Sequence, residues 1–273
     1  MKTKILFFII AFANFCSAQI VNIPNVNFKT KLLSASPSNT IAKDLSGNFI
    51  DIDLNNDNEI QNSEASQISY LDISYSNILA NSLIGLEAFT NLEKFICNNN
   101  QINSLNLTLL SNLKYLNCEF SYINNINVQG LLFLEYLNCS SNNISSLNIQ
   151  NLTNLKEINC RNMTLNSLNV QGLLNLETLI CGHNYLSNLN VQNLINLKKL
   201  DVDNANLSSL NVQGLINLEY LDCSQNNITL LNLQGLVNLK FLYCNFCGLN
   251  NLNIQNSSLL EILDCSNNNN ITS

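Results

Sequence analysis

Leu218-Glu-Tyr-Leu221-Asp-Cys223-Ser-Gln-Asn226-Asn-Ile228 is the stretch that decides the fold. Its first Leu recurs at 92, 113, 134, 155, 176, 197, 218, 239 and 260, a spacing of 21 without slip, and the neighbouring residues recur in the same register. Numbering each unit from that Leu, position 4 is apolar from Phe95 to Leu263 and position 11 is Ile or Leu from Ile102 to Leu249. Position 6 is Cys in eight units and Val202 in one. The composition carries the same bias, with 56 Asn and 50 Leu among 273 residues, 11% charged residues and no Trp. A chain so biased yet 46% hydrophobic is one short ordered unit used many times, not a solvated disordered polymer.

Apolar positions 4 and 6 flank a polar or variable position 5, the period-2 pattern of a strand with one buried face. A second alternation follows at positions 14 to 16, as in Leu210-Asn211-Val212, and 21 residues leave no room for an α-helix as well. The pattern resembles the leucine-rich repeat, with Cys in place of the third apolar residue. The resemblance covers residues 68 to 273 as about ten coils, the first 24 residues long and the last incomplete. It implies a β-rich, right-handed solenoid with a parallel sheet on the concave face, an extended or 3-10 convex side and a small helical N-terminal cap.

Finer files run inside the repeat. Position 2 alternates Glu93, Lys114, Glu135, Lys156 and onward to Glu261, while position 9 is Asn only in the Glu units: Asn100, Asn142, Asn184, Asn226 and Asn268. The unit is therefore 42 residues, and coils about 4.8 Å apart would set each Glu between two Lys as a register device. Position 15 is Asn from Asn106 to Asn253 and position 17 is Gln from Gln129 to Gln255; such rows are expected to hydrogen-bond along the stack. The position-6 cysteines read as a file of buried thiols. Cys244-Asn-Phe-Cys247 has redox or metal spacing, but it lacks a second pair and the only His, His183, lies three coils away.

Residues 1 to 18 carry Lys2 and Lys4, an apolar run from Ile5 to Phe15 and the small residues Cys16-Ser17-Ala18, the layout of a secretory signal peptide. The apolar run is too short for a permanent anchor across about 30 Å of hydrocarbon. Phe15 disfavours lipidation at Cys16. Removal leaves ten basic and nineteen acidic residues and an odd nine cysteines. A complete disulfide framework within the chain is then excluded, and so acidic a surface is a poor match for nucleic acid.

Residues 19 to 67 form the expected cap, with a short helix at Asn27–Leu33. Asp53-Leu-Asn55-Asn-Asp57-Asn58-Glu59-Ile60-Gln61-Asn-Ser-Glu64 matches a twelve-residue EF-hand-type calcium loop. The side chains of Asp53, Asn55 and Asp57, the Glu59 carbonyl, Gln61 directly or through water, and Glu64 would surround a structural calcium ion. Asn58 stands where such loops have Gly, and Asn is the next best residue for left-handed backbone. The assembly of leader, cap helix, calcium-type loop and Cys-bearing repeats resembles secreted leucine-rich repeat proteins of Bacteroidetes, with an internalin-like layout. That resemblance implies an exported or surface-associated, non-catalytic module for protein or glycan recognition or adhesion. Relatives often continue into a sorting domain, so the stop at Ser273 within a coil suggests a fragment or capping by a partner.

The outward strand face is the expected ligand surface. It gathers Tyr115, Phe120 and Tyr136 in one group, and Tyr220, Phe241, Tyr243 and Phe246 in another beside Asp201, Asp222 and Asp264. Aromatic side chains on a rigid surface are frequent binding anchors. A second reading uses the outward Asn and Gln rows to bind an ordered surface such as ice or a polysaccharide. An enzyme is disfavoured: one His, one Arg (Arg161), no phosphate-binding glycine loop and no carboxylate pair stands apart from the repeat.

Overall fold

A computed structural model describes residues 19–255, 257–268 and 271; the expected signal peptide at 1 to 18 lies outside the described residues. The chain winds as a leucine-rich repeat solenoid. Each coil places one short strand in an eleven-stranded sheet that ends at Ile262–Asp264. From Ile68–Asp72 through Lys94–Ile96 and Tyr115–Asn117 onward, successive strands pair in parallel, so that Leu116 lies beside Leu137 and Leu221 beside Leu242. The period thus becomes a set of files along the body. Positions 1, 4, 6 and 11 point inward; Leu134, Leu137, Cys139 and Ile144 are all 0% exposed.

The return wall is extended, with short parallel ladders between Leu79–Ala80 and Gln101–Ile102 and between Ser104–Asn106 and Asn125–Asn127. A 3-10 turn, Leu86–Ala88, takes up the extra residues of the first coil. Gly85 opens it at φ 99°, where an added Cβ would stand 2.6 Å from Ile23 Cγ1 and 2.9 Å from the Asn22 carbonyl. Only glycine lets the cap sit this close.

The cap contributes more than a helix. Val26–Leu33 is N-capped by Asn25, whose side chain accepts from Phe28 N at 2.8 Å, and it buries Phe28 and Leu32. Ala42–Asp44 then adds an antiparallel strand beside Ile68–Asp72. At the far end Leu263 is 38% exposed where Leu242 is fully buried.

The 42-residue alternation has a structural cause. Asn142 donates through Nδ2 to the carbonyls of Cys139 in its own coil and Cys118 in the preceding one, and its Oδ1 accepts from Ser121 N and Ile123 N. Asn100, Asn226 and Asn268 make the same four-way contact, each to the coil before it. The intervening coils carry Ser121, Met163, Ala205 or Cys247 at this buried position. The charges stitch the other interface. Lys114, Lys156, Lys198 and Lys240 pair at 2.7 to 2.9 Å with the Glu of the coil before. Glu93, Glu135, Glu177 and Glu219 therefore each serve one Lys rather than two, so these Glu coils are bonded forward by charge and backward by Asn.

Candidate binding face

The outward strand residues stand in two adjacent files. Position 3 runs Tyr70, Lys94, Tyr115, Tyr136, Glu157, Thr178, Lys199, Tyr220, Phe241, Ile262, all paired in register. Cations alternate with rings at its first end. Lys43 lies 4.6 Å from the Phe49 ring, Lys94 lies 4.0 Å from the Tyr115 ring, and Tyr115 stacks on Tyr136 with centroids 4.2 Å apart and planes 1° from parallel. Burial, followed by the neighbouring Tyr136, pushes the Tyr115 hydroxyl up, and burial with the nearby Asp72 carries Tyr70 up to about 12. These hydroxyls stay protonated as hydrogen-bonding groups.

The second aromatic group also forms. Lys199 lies 4.8 Å over Tyr220, whose centroid is 6.3 Å from that of Phe241 and 5.6 Å from that of Tyr243. Burial and the carboxylate of Asp222 raise Tyr220 to about 12. Asp222 and Asp264 are held in place by the same local device: each accepts from the backbone N–H and the hydroxyl of the Ser two residues on, Ser224 and Ser266. Asp201 does not join them but turns toward Arg161.

Phe120 and Phe246 stand apart from the strand face on which the sequence grouping placed them. They occupy position 8, beyond the strand, where every coil from Tyr75 to Asn267 has left-handed backbone, at φ 49° and 53° for these two. That turn keeps the position-8 N–H aimed at the next coil, as in Phe120 N to the Ser140 carbonyl and His183 N to the Asp203 carbonyl. Phe120 shares a hollow with Tyr122, Asn77 and Asn99 instead of with the stacked tyrosines.

A cluster that pattern reading passed over lies between the two aromatic groups. Arg161 reaches across an entire coil: Nη1 is 3.1 Å from Asp201 Oδ1, and Nη2 is 2.8 Å from Asp203 Oδ2. His183 Nε2 is 3.1 Å from the same Asp203 oxygen, and its Nδ1 faces Asn204 Nδ2 at 3.1 Å. Burial, then the hydrogen bond and charge of Asp203, push Asp201 up to about 6. Burial works against Asp203 as well, but Arg161, the Asp201 hydrogen bond and His183 outweigh it and hold that carboxyl below its usual range. The crossing is open because position 7 of the intervening coil is Gly182, where a Cβ would meet Asp203 Oδ1. The signal was available as coincidence: the only Arg, the only His, the Gly at position 7 and Val202 at position 6 fall in three consecutive coils.

In the cap loop, Asn58 is left-handed at φ 63°. Asp53 accepts from Asp57 N and Asn58 N, while Asn55 Nδ2 and Gln61 Nε2 both donate to Asp57 Oδ2. Glu64 closes the loop by accepting from Leu54 N, Asn55 N and Gln61 N, and the Glu59 side chain pairs with Lys29 at 2.7 Å. Among the described residues no three His, Cys, Asp or Glu side chains converge as a metal-holding group. The oxygen set available there is two aspartates with amide and carbonyl oxygens and a Glu64 already engaged. The position-15 row is likewise engaged locally: Asn127, Asn148, Asn169 and their equivalents accept from the N–H two residues on instead of laddering through that oxygen.

No protein-family model matches the chain, and no curated protein matches it. Solved structures do. The functional domain of InlJ from Listeria monocytogenes, described as including a cysteine ladder, is 24% identical with a TM-score of 0.65, over 93% of this chain and 63% of that one. Internalin C2 from Listeria monocytogenes is 21% identical with a TM-score of 0.64, over 81% of this chain and 94% of that one. YopM, a leucine-rich effector protein from Yersinia pestis, is 27% identical with a TM-score of 0.59, over 67% of this chain and 50% of that one. The chain thus spans less than two thirds of the InlJ domain and half of YopM. The likeness establishes the leucine-rich repeat fold. Among the described residues no helix is long and apolar enough to cross a membrane.

Proposed function

We propose that the chain is an exported, non-catalytic recognition module that binds a protein ligand on the outward face of its main sheet. The observation that carries this reading is the pair of cation-flanked aromatic groups, Lys94–Tyr115–Tyr136 and Lys199–Tyr220–Tyr243, mounted on strands whose inward faces are fully packed. A rigid aromatic surface loses little conformational entropy on binding, which is where interfaces concentrate their free energy. Screening residues 19 to 273 against arrayed extracellular proteins, beside Tyr115→Ala/Tyr136→Ala and Tyr220→Ala/Tyr243→Ala, tests the assignment. Loss of hits with either pair is expected; hits that both variants retain would reject the face. Export is checked by the mass of the chain recovered from the medium, which should lack residues 1 to 18.

We further propose that the cap loop takes a calcium ion weakly, at the affinities near 10⁻³ M typical of extracellular modules. The left-handed Asn58 and the gathered oxygens of Asp53 and Asp57 support this. When bound, the ion would neutralise those carboxylates and brace the cap. Thermal melting with and without millimolar calcium tests it against Asp53→Ala/Glu64→Ala; an unchanged parent melting temperature discards the site.

A further inference from the structure

The geometry points to a second binding site: a groove for a neutral, extended oligosaccharide, running along the flank of the solenoid between repeat positions 8 and 10. Two hollows open there. One, about 220 Å³, is lined by Asn77, Asn99, Gln101, Phe120 and Tyr122 over the buried Asn100; the other, about 500 Å³, lies between His183, Tyr185, Asn204, Asn206 and Gln225. Both lie on the same flank, each walled by the same two repeat positions and floored by position 9.

Three observations select the ligand class. The first is strain without reward. Position 8 is left-handed throughout, a conformation that Asn tolerates and residues with a bulky side chain disfavour. Asn fills it in four coils, as at Asn99, yet Tyr75, Phe120 and Phe246 occupy it in others, and Tyr122 is left-handed at position 10. These rings are 55 to 77% exposed, so neither backbone ease nor burial accounts for them, and strain of this kind clusters where a partner binds.

The second is unspent hydrogen bonding. The position-9 and position-21 amides are committed to the coil stack, as Asn184 is to the carbonyls of Cys160 in the preceding coil and Cys181 in its own, and Asn196 is to the Leu174 carbonyl. The groove carboxamides of Asn206, Gln225 and Asn227, by contrast, make no hydrogen bond among the described residues. Each offers a donor and an acceptor, the combination that pairs with vicinal hydroxyls. The third is charge. Among the described residues no carboxylate, ammonium or guanidinium lines either hollow, unlike the strand face with its lysines and aspartates; the one basic side chain there, His183, is paired with Asp203 at 3.1 Å. Exposed rings to stack on sugar C–H faces, free amides for hydroxyls and a wall without carboxylates or ammonium groups suit a neutral glycan better than a peptide or an acidic polymer. Coils repeating about every 4.8 Å present these groups at intervals comparable with one sugar residue.

This site is independent of the strand face, and its test keeps the two apart. Residues 19 to 273 are run by affinity electrophoresis through gels containing xylan, mannan, mixed-linkage β-glucan or hydroxyethyl cellulose, then titrated calorimetrically with the hexasaccharide of any that retards them. Retardation by at least one neutral polysaccharide is expected. Phe120→Asn/Tyr122→Asn and Tyr185→Ala/Gln225→Ala should each weaken it about tenfold or more, the loss expected on truncating binding anchors. Asn suits the left-handed backbone, so the first variant should melt at or above the parent temperature. Binding should change little between about 0.05 and 0.5 M salt, since screening acts on charge, and should survive Tyr220→Ala/Tyr243→Ala. No retardation in any gel, equal retardation of the groove variants, or binding confined to an acidic polymer such as polygalacturonate would overturn the assignment.

Discussion

Arg161 holds the carboxylate of Asp203 from two coils away, with Nη2 2.8 Å from Oδ2 across a separation of 42 residues. In a solenoid each coil ordinarily contacts only its neighbours. This pair bypasses that rule through the gap left by Gly182, and ties three coils together on the surface between the two aromatic groups.

Gly182→Ala should break this tie. The new Cβ would lie 2.0 Å from Asp203 Oδ1 and 2.7 Å from the Asp203 carbonyl, and the second of these is backbone that cannot swing away. A loss of roughly 1–3 kcal/mol is expected, the usual cost of overpacking. Urea denaturation measures it; a midpoint equal to the parent's would show that the crossing is slack.

The same cluster should give stability a particular pH dependence. Asp201 has a folded pKa of about 6, above the ordinary 3.8, because of burial and Asp203. A carboxyl raised on folding stabilises fully below its unfolded value, and that contribution is lost as pH rises through about 6. Asp203 is lowered and acts with the opposite sign, its contribution present above the unfolded value and lost as pH falls through the folded one. Asp201→Asn, which places at position 5 the residue already found at Asn117, Asn138 and Asn159, should stabilise at pH 7 by on the order of 1 kcal/mol. Between pH 4 and 7, taken as roughly the window from unfolded to folded value, it should also remove the parent's decline. Denaturation midpoints across that range decide the matter, and a variant less stable at pH 7 would contradict it.

The two halves of the 42-residue alternation should differ in weight. Asn142→Leu would strand the Ser121 and Ile123 N–H groups and the Cys118 and Cys139 carbonyls that its amide serves. Unsatisfied buried polar groups cost about 1–3 kcal/mol each, so a total of roughly 3 kcal/mol or more is expected. Lys156→Met removes an exposed ion pair with Glu135 and should barely move the melting temperature. Equal effects from the two substitutions would mean that the amide is replaceable by packing.

Thiol chemistry should report the integrity of the stack. All nine described cysteines are free; eight are buried and only Cys265, in the last coil, is partly exposed. Burial pushes thiols such as Cys139 well up and Cys244 to about 12, which suppresses the reactive thiolate; Cys247 is held below its usual value by a hydrogen bond with Cys223, but at 3% exposure it is shielded from reagent. Titration of native residues 19 to 273 with a thiol-specific disulfide reagent should therefore find Cys265 alone, and denaturation should release the rest. Early reaction of Cys139 or Cys160 would show that the coils open locally.

The files of Leu, Ile and Cys were readable without coordinates because a 21-residue coil has one way to bury its apolar side chains. Leu221, Cys223 and Ile228 point inward in whatever detail the coil is drawn, and the strand at Tyr220–Asp222 follows from their alternation. Tyr115 beside Tyr136, and Tyr220 beside Phe241, follow too, since residues one period apart must be neighbours in a register that burial enforces.

What escaped a one-dimensional reading depends on directions that periodicity does not encode. Backbone handedness at position 8 moves Phe120 and Phe246 off the strand face. Whether a Lys turns to the Glu before it or after it, and whether an Asn amide reaches the coil before it or the one after, is set by the offset between coils in space. The Arg161–Asp203 contact needed all three at once: a long side chain, a missing Cβ at Gly182 and a coil offset that lines them up.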